Sequence, residues 1–252
     1  MSDFLDVFDI GTGDAVAIAG SGGKATLMYR LAREASERGM TVLTTSTTHL
    51  HPPTRRQSRG LFVTEEIPDW SEALSEVLRS RRHITVVGAR PRPDKLQGVD
   101  TQTLTRLREI CRPDLVLIKA DGARTRPFKA PGPEEPVVPD WVTRGIVVAG
   151  LHSVGLPVDD KHVHRPERVC ALAGIDPGQP ITEEAIARVV SDPSAYRRAF
   201  PAGCRVFLYL SRCDRTDRRA SAEVIKKAVE SNVYAQILCG NIGLPRTFVA
   251  LL

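Results

Sequence analysis

The chain has 252 residues, 42% of them hydrophobic and 26% charged, so it can bury a sizeable core and is not globally disordered. Lys and Arg number 35 against 30 Asp and Glu, a net charge of +5 that suits phosphate-bearing partners without establishing them. Aromatic residues make up only 5%, which argues against base-stacking single-strand binding, and no apolar run nears the roughly 20 residues of a membrane span. Residues 1–4 carry no basic segment ahead of an apolar one, so the expectation is a cytoplasmic protein without a membrane partner. Cys111, Cys170, Cys204, Cys213 and Cys239 are odd in number and lack CxxC spacing, which argues against a disulfide framework or structural zinc.

In chain order, residues 15–19 read as a short buried strand that Gly20 to Gly23 break. Leu27, Met28, Leu31, Ala32 and Ala35 then fall on one face of a helix over 25–38, with Gly39 as its stop. Residues 41–45 form the next strand. Pro52, Pro53, Arg55, Arg56 and Arg59 mark an exposed loop. A helix over 71–80, a strand over 83–88, a helix over 101–111 and a buried strand over 114–118 follow. The stretch from Pro127 to Pro139 holds five prolines and predicts an irregular loop. That loop reads either as a lid or partner surface presenting Arg124, Arg126, Lys129, Glu134 and Glu135, or as an inert connection. Strands over 145–149, 205–210 and 234–238 and helices over 165–173, 182–191 and 217–230 complete the chain. The alternation implies an α/β fold, a mostly parallel sheet flanked by helices in a P-loop NTPase-like three-layer core. We expect one domain over 1–252, with a small helical insertion at about 160–195.

The segment Gly20-Ser21-Gly22-Gly23-Lys24-Ala25-Thr26 follows a strand and opens a helix, the context a phosphate loop requires. Its glycines let backbone amides cradle phosphate oxygens, the helix N-terminus adds positive potential, and Lys24 reaches the terminal phosphates. Two positions depart from GxxxxGK[ST]: Ile18 stands at the first glycine and Ala25 at the Mg²⁺-holding hydroxyl. The competing reading is a tight turn with a surface lysine.

Further motifs accompany the loop: Thr44-Thr45-Ser46-Thr47-Thr48, Ala120-Asp121-Gly122-Ala123-Arg124, Lys129-Ala130-Pro131, Glu135-Pro136 and His164-Arg165-Pro166-Glu167. In this order, over about residues 15 to 240, the chain resembles the YqeC family of accessory proteins for selenium-dependent molybdenum hydroxylases. Ala25 replaces the family's usual Thr, and Lys119 sits where an acid usually precedes the ADG. The resemblance implies a nucleotide-binding maturation factor, with a molybdenum–selenium hydroxylase or its cofactor as partner.

The candidate catalytic residues are Lys24 and Asp121, the latter at a strand end where an acid can hold Mg²⁺ directly or through water. Nucleotide, ATP or GTP, is assigned to Gly20, Ser21, Gly22, Gly23, Lys24, Ala25 and Thr26, and its base to Asp214, the residue left of an N-K-x-D-like position in Ser211-Arg212-Cys213-Asp214. Asp214 equally suits a helix cap. Thr47, Arg124, His164 and Arg165 are the candidate substrate or phosphate contacts, and Thr26 and Asp121 the candidate Mg²⁺ ligands. Thr44, Thr45, Thr47 and Thr48 serve either phosphate or strand propensity. The pairs His49/His51 and His162/His164, with His152, are weak metal candidates. Any reaction would be NTP hydrolysis at a phosphoanhydride bond. Competing classes are a ligase-like enzyme with a Mur-type loop and a non-catalytic scaffold for a phosphate ligand. Nucleic-acid binding would rest only on Arg55, Arg56, Arg59, Arg79, Arg81 and Arg82, a pattern usual for solvated faces.

Overall fold

The structure is a computed structural model that describes residues 3–67, 70–229, 232–242 and, for the backbone alone, 249–251. In chain order its elements are α1 (Phe4–Val7), β1 (Ala15–Gly20), α2 (Lys24–Glu37), β2 (Val42–Ser46), β3 (His49–Leu50), β4 (Leu61–Val63), α3 (Trp70–Arg81), β5 (His83–Val87), β6 (Ala89–Arg92), β7 (Lys95–Gln97), α4 (Thr101–Cys111), β8 (Leu115–Lys119), β9 (Phe128–Lys129), β10 (Arg144–Gly150), β11 (Val163–His164), α5 (Pro166–Ala173), α6 (Glu183–Ser191), β12 (Arg205–Ser211), α7 (Thr216–Ala228), β13 (Gln236–Gly240) and β14 (Val249–Leu251). The fold is α/β, with a mostly parallel sheet and flanking helices, as the alternating pattern predicts.

The chain divides into two compact units, one of Met1–Ala17, Ala25–Ala120 and Val137–Arg144, the other of Ile18–Lys24, Asp121–Pro136 and Gly145–Leu252. In the first, the strands run β1-β8-β2-β5-β4, and β2 pairs in parallel with both β8 and β5. Every residue of β2 and β5 is buried, which accounts for their apolar and threonine-rich sequences. Helix α2 buries Leu27, Met28, Leu31, Ala32 and Ala35, the face its spacing predicts. Asp100 caps α4 by accepting the Thr103 amide at 2.7 Å. Strands β3, β7 and β6 form a small antiparallel sheet.

In the second unit the order is β14-β13-β12-β10-β1, with β12 and β13 parallel and β13 and β14 antiparallel. Helices α5 and α6 also belong to this unit, and Thr182 caps α6 by accepting the Ala185 amide at 3.1 Å. One expectation needs correction. The proline stretch is not wholly irregular, because Phe128 and Lys129 form β9 and pair in parallel with β11. Two residues without proline suffice for a ladder when a partner strand supplies the bonds.

Candidate functional site

β1 ends on Gly20 and α2 opens at Lys24, so three residues turn the chain from strand into helix. Gly20 and Gly22 hold φ of +96° and +88°, backbone that side-chain-bearing residues rarely adopt. Both also lack room for a side chain. A Cβ on Gly20 would overlap the Val148 carbonyl oxygen, and one on Gly22 would come within 2.5 Å of Gly150 Cα. The Ser21 amide donates to Val148 O at 2.8 Å, and the Ser211 hydroxyl at the end of β12 donates to Gly22 O at 2.6 Å. Among the described residues no acceptor reaches the amides of Gly22, Gly23 or Lys24. The buried Ser21 hydroxyl likewise finds no partner. Successive unpaired amides at a helix N-terminus are suited to an anion.

Lys24 does not project into solvent. Its Nζ turns back to donate to Gly20 O and faces Asp121 Oδ1 at 3.2 Å, an ion pair without hydrogen-bond alignment. Burial, with a smaller contribution from Lys129, holds the Lys24 amine below the usual lysine range, while Asp121 opposes that shift. Asp121 is fully buried, and its Oδ2 accepts from the Gly20 amide at 3.0 Å and from Lys129 Nζ at 2.8 Å. Lys129, also fully buried, uses its remaining protons on Gly122 O at 2.7 Å and Glu135 Oε2 at 2.6 Å. Glu135 then accepts both terminal nitrogens of Arg165, at 2.7 and 3.2 Å. The charges therefore alternate from Lys24 through Asp121, Lys129 and Glu135 to Arg165, which offsets the cost of withdrawing them from water. Burial alone would raise Glu135, but the Arg165 hydrogen bond and the Lys129 charge outweigh it and bring the carboxyl to about 2.

The proline segment that carries Lys129 and Glu135 is tied down from its own unit. Tyr196 donates its hydroxyl to Lys129 O at 3.2 Å, and Arg198 donates to Gly132 O at 3.1 Å, Glu135 O at 3.2 Å and Pro133 O. Beside the loop, the His152 ring packs on Gly150, its Nδ1 buried without a hydrogen bond among the described residues. Burial first, then Arg212 and Arg218, pulls His152 down to about 4.

The other sequence candidates are placed as follows. Ala25 and Thr26 are the second and third residues of α2, half-buried and exposed respectively. Thr47 donates its hydroxyl to Val137 O at 3.1 Å. Thr44 meets Thr85 at 2.8 Å and Thr45 donates to Val86 O at 2.7 Å, so both serve the sheet. Thr48 accepts from Lys119 at 3.0 Å. Arg124 is exposed with φ of +47°, His164 is half-buried on β11, and Arg165 is committed to Glu135. Asp214 pairs with Arg218 at 3.2 Å on the first turns of α7, whose N-cap is Arg215 rather than Asp214. Among the described residues no three His, Cys, Asp or Glu side chains gather to hold a metal ion, so the His-x-His pairs build no such cluster. Of the arginine runs, Arg81 donates to Arg59 O at 2.7 Å and Arg82 to Gly39 O at 2.6 Å, local contacts of a protein surface. No described helix is long and apolar enough to cross a membrane.

In the sequence Lys129 and Glu135 stand out only as loop charges and motif positions, and Ser211, Tyr196 and Arg198 carry no signal of a role. A signal for Lys129 was present, since Phe128 and Ala130-Pro131 flank it and leave it in an apolar setting. The partners of Tyr196 and Arg198 lie more than sixty residues away, beyond any local pattern.

The fold and the loop define an α/β protein with a glycine-rich turn between its first sheet strand and the following helix. The sequence model of the YqeC protein family matches residues 16–167, more than half of the chain, and the chain belongs to that family. A protein named YqeC from Escherichia coli (strain K12) is 26% identical over 227 residues, covering 90% of this chain and 87% of that relative. Among solved structures, FtsY from Mycoplasma mycoides overlaps 90% of this chain and 51% of its own, at 12% identity and a TM-score of 0.34. The chain thus spans about half the length of that structure, and so loose an overlap carries nothing further.

Proposed function

We propose that this protein binds a nucleoside triphosphate, ATP or GTP, with its phosphates in the loop from Gly20 to Lys24. The observation that carries the reading is the buried Lys24, held by Gly20 O and Asp121 beside amides of Gly22, Gly23 and Lys24 that find no acceptor among the described residues. An incoming phosphate offers Lys24 a stronger partner than a carbonyl and satisfies those amides. Lys129 and the Gly20 amide still donate to Asp121 Oδ2 when Lys24 turns away. Lys24 and the amides would then stabilise charge on a departing phosphate if the anhydride is cleaved.

Asp121 Oδ1 is a buried oxygen without a hydrogen bond among the described residues, and it is the atom through which Asp121 would hold Mg²⁺ arriving with nucleotide. Bound there, the metal would neutralise phosphate charge. Ala25 offers no hydroxyl, and Thr26 is the nearest hydroxyl in sequence. We therefore expect the metal to strengthen binding modestly and hydrolysis to be slow. Asp214, exposed and with one oxygen outside its pair with Arg218, is the candidate contact to the base.

Membership of the YqeC family supports a finer reading, in which nucleotide binding serves the maturation of a selenium-dependent molybdenum hydroxylase or its cofactor. Calorimetric titration of ATP and GTP, with and without Mg²⁺, into wild type and Asp214→Ala tests the binding and the base contact. Saturable binding of one nucleotide, weakened in the variant, is expected; no binding of either at millimolar concentration overturns the reading. Hydroxylase activity in cells lacking this chain, restored by wild type but not by Lys24→Ala, tests the maturation role.

A further inference from the structure

The nucleotide reading leaves one charged cluster unused. β9 and β11 pair in parallel with Lys129 opposite His164, so both side chains stand on one face of the ribbon, about 4.8 Å apart at the backbone. On that face Lys129 Nζ reaches Asp121, Gly122 O and Glu135. His164 is half-buried, and among the described residues its ring nitrogens take no hydrogen bond. Burial and the charges of Arg165, Lys129 and Arg124, opposed by Glu135, hold its imidazole down to about 4, so it stays neutral at pH 7 with one N–H to donate. Arg124 is exposed, on the turn that follows Asp121 and Gly122. A Cβ on Gly122 would meet nothing within 4 Å, so space is open beside the buried carboxylate. Among the described residues Lys24, Lys129 and Arg165 pair with Asp121 and Glu135 alone, and Arg124 adds its charge near His164, so the group carries a positive excess.

We propose that His164 and Arg124 bind the oxyanion, carboxylate or phosphate, of a small second substrate beside the Lys24–Asp121 end of the network. The guanidinium supplies charge and two parallel donors, and the neutral imidazole supplies a third. Lys129 and Arg165 are positioning residues here, since Glu135 and Asp121 already occupy them. The idea that this ligand is a co-substrate rests on the nucleotide reading; the anion site itself does not.

The test is an NMR titration of the His164 ring signals in the full chain with inorganic phosphate and, separately, malonate. It is run on wild type, Lys24→Ala, Arg124→Ala and Arg124→Lys. We expect a saturable shift in wild type that persists in Lys24→Ala, weakens about tenfold or more in Arg124→Ala and partly returns in Arg124→Lys. The tighter probe identifies the oxyanion. A shift that never saturates, that ignores Arg124, or that vanishes in Lys24→Ala overturns the proposal. Nucleotide binding without a saturable His164 shift removes this site alone, whereas an Arg124-dependent shift without nucleotide binding keeps the site and removes the nucleotide reading.

Discussion

Replacing Lys129 by Met tests the buried network most sharply, because the thioether keeps the length of the side chain and removes only its charge and donors. Lys129 gives its protons to Asp121, Gly122 O and Glu135, and both it and Asp121 are fully buried. Removing one member of a buried ion pair costs about 3–5 kcal/mol, since the other charge stays in place uncompensated. Partial compensation remains: Asp121 keeps the Gly20 amide, and Glu135 keeps Arg165. We therefore place the cost near 3 kcal/mol, equivalent to a fall in Tm of roughly 6–12 °C for a chain of this size. Thermal and urea denaturation followed by circular dichroism measure it. The double variant Asp121→Asn/Lys129→Met should lose less than the sum of the two single losses, because each single variant strands the other group. A Tm within about 1 °C of wild type, or strict additivity, would refute the network as a coupled unit.

Other expectations follow from the same structure. Gly20→Ala places a methyl against Val148 O at φ of +96°, so it should destabilise by about 1–3 kcal/mol in urea titration and weaken any phosphate binding. Arg165→Ala removes the bidentate partner of Glu135 and should cost about 2 kcal/mol, while the variant remains folded by circular dichroism. Burial holds His83, His152 and His164 each at about 4, below their usual range, so the unfolded chain binds protons that the folded chain refuses. Stability should therefore be full above about pH 6.5 and fall as pH drops toward 4. Glu135, lowered to about 2, adds a further loss below its usual value of 4.5. Urea midpoints measured from pH 7 to pH 3 read both effects, and a flat profile down to pH 4 would contradict the histidine assignment.

Some of this architecture is legible in the sequence. The apolar run of β1, the glycines after it and the lysine that opens α2 declare a strand, a turn and a helix because each imposes a local backbone constraint. The periodicity of α2, α4 and α7 and the continuous apolar runs of β8 and β12 are local in the same way. Strands β3, β9 and β11, of two residues each, carry no period to detect and exist only through partners remote in the chain. At the site, Asp121 was visible as an acid at a strand end, but nothing local says that its oxygens meet Gly20, Lys24 and Lys129. Lys129 reads as a loop lysine until β9 and the glutamate six residues on fold around it. Arg165 shows the converse: a motif arginine that reads as a substrate contact already holds a bidentate pair with Glu135.

The central claim is that Lys24 leaves Gly20 O and Asp121 for a nucleotide phosphate. Calorimetric titration of the nucleotide that binds wild type into Lys24→Ala tests it most directly, with circular dichroism confirming that the variant is folded. Loss of this charge-assisted contact is expected to weaken binding at least about tenfold. Equal affinity in wild type and Lys24→Ala would contradict it, because the phosphates would then lie away from the glycine loop.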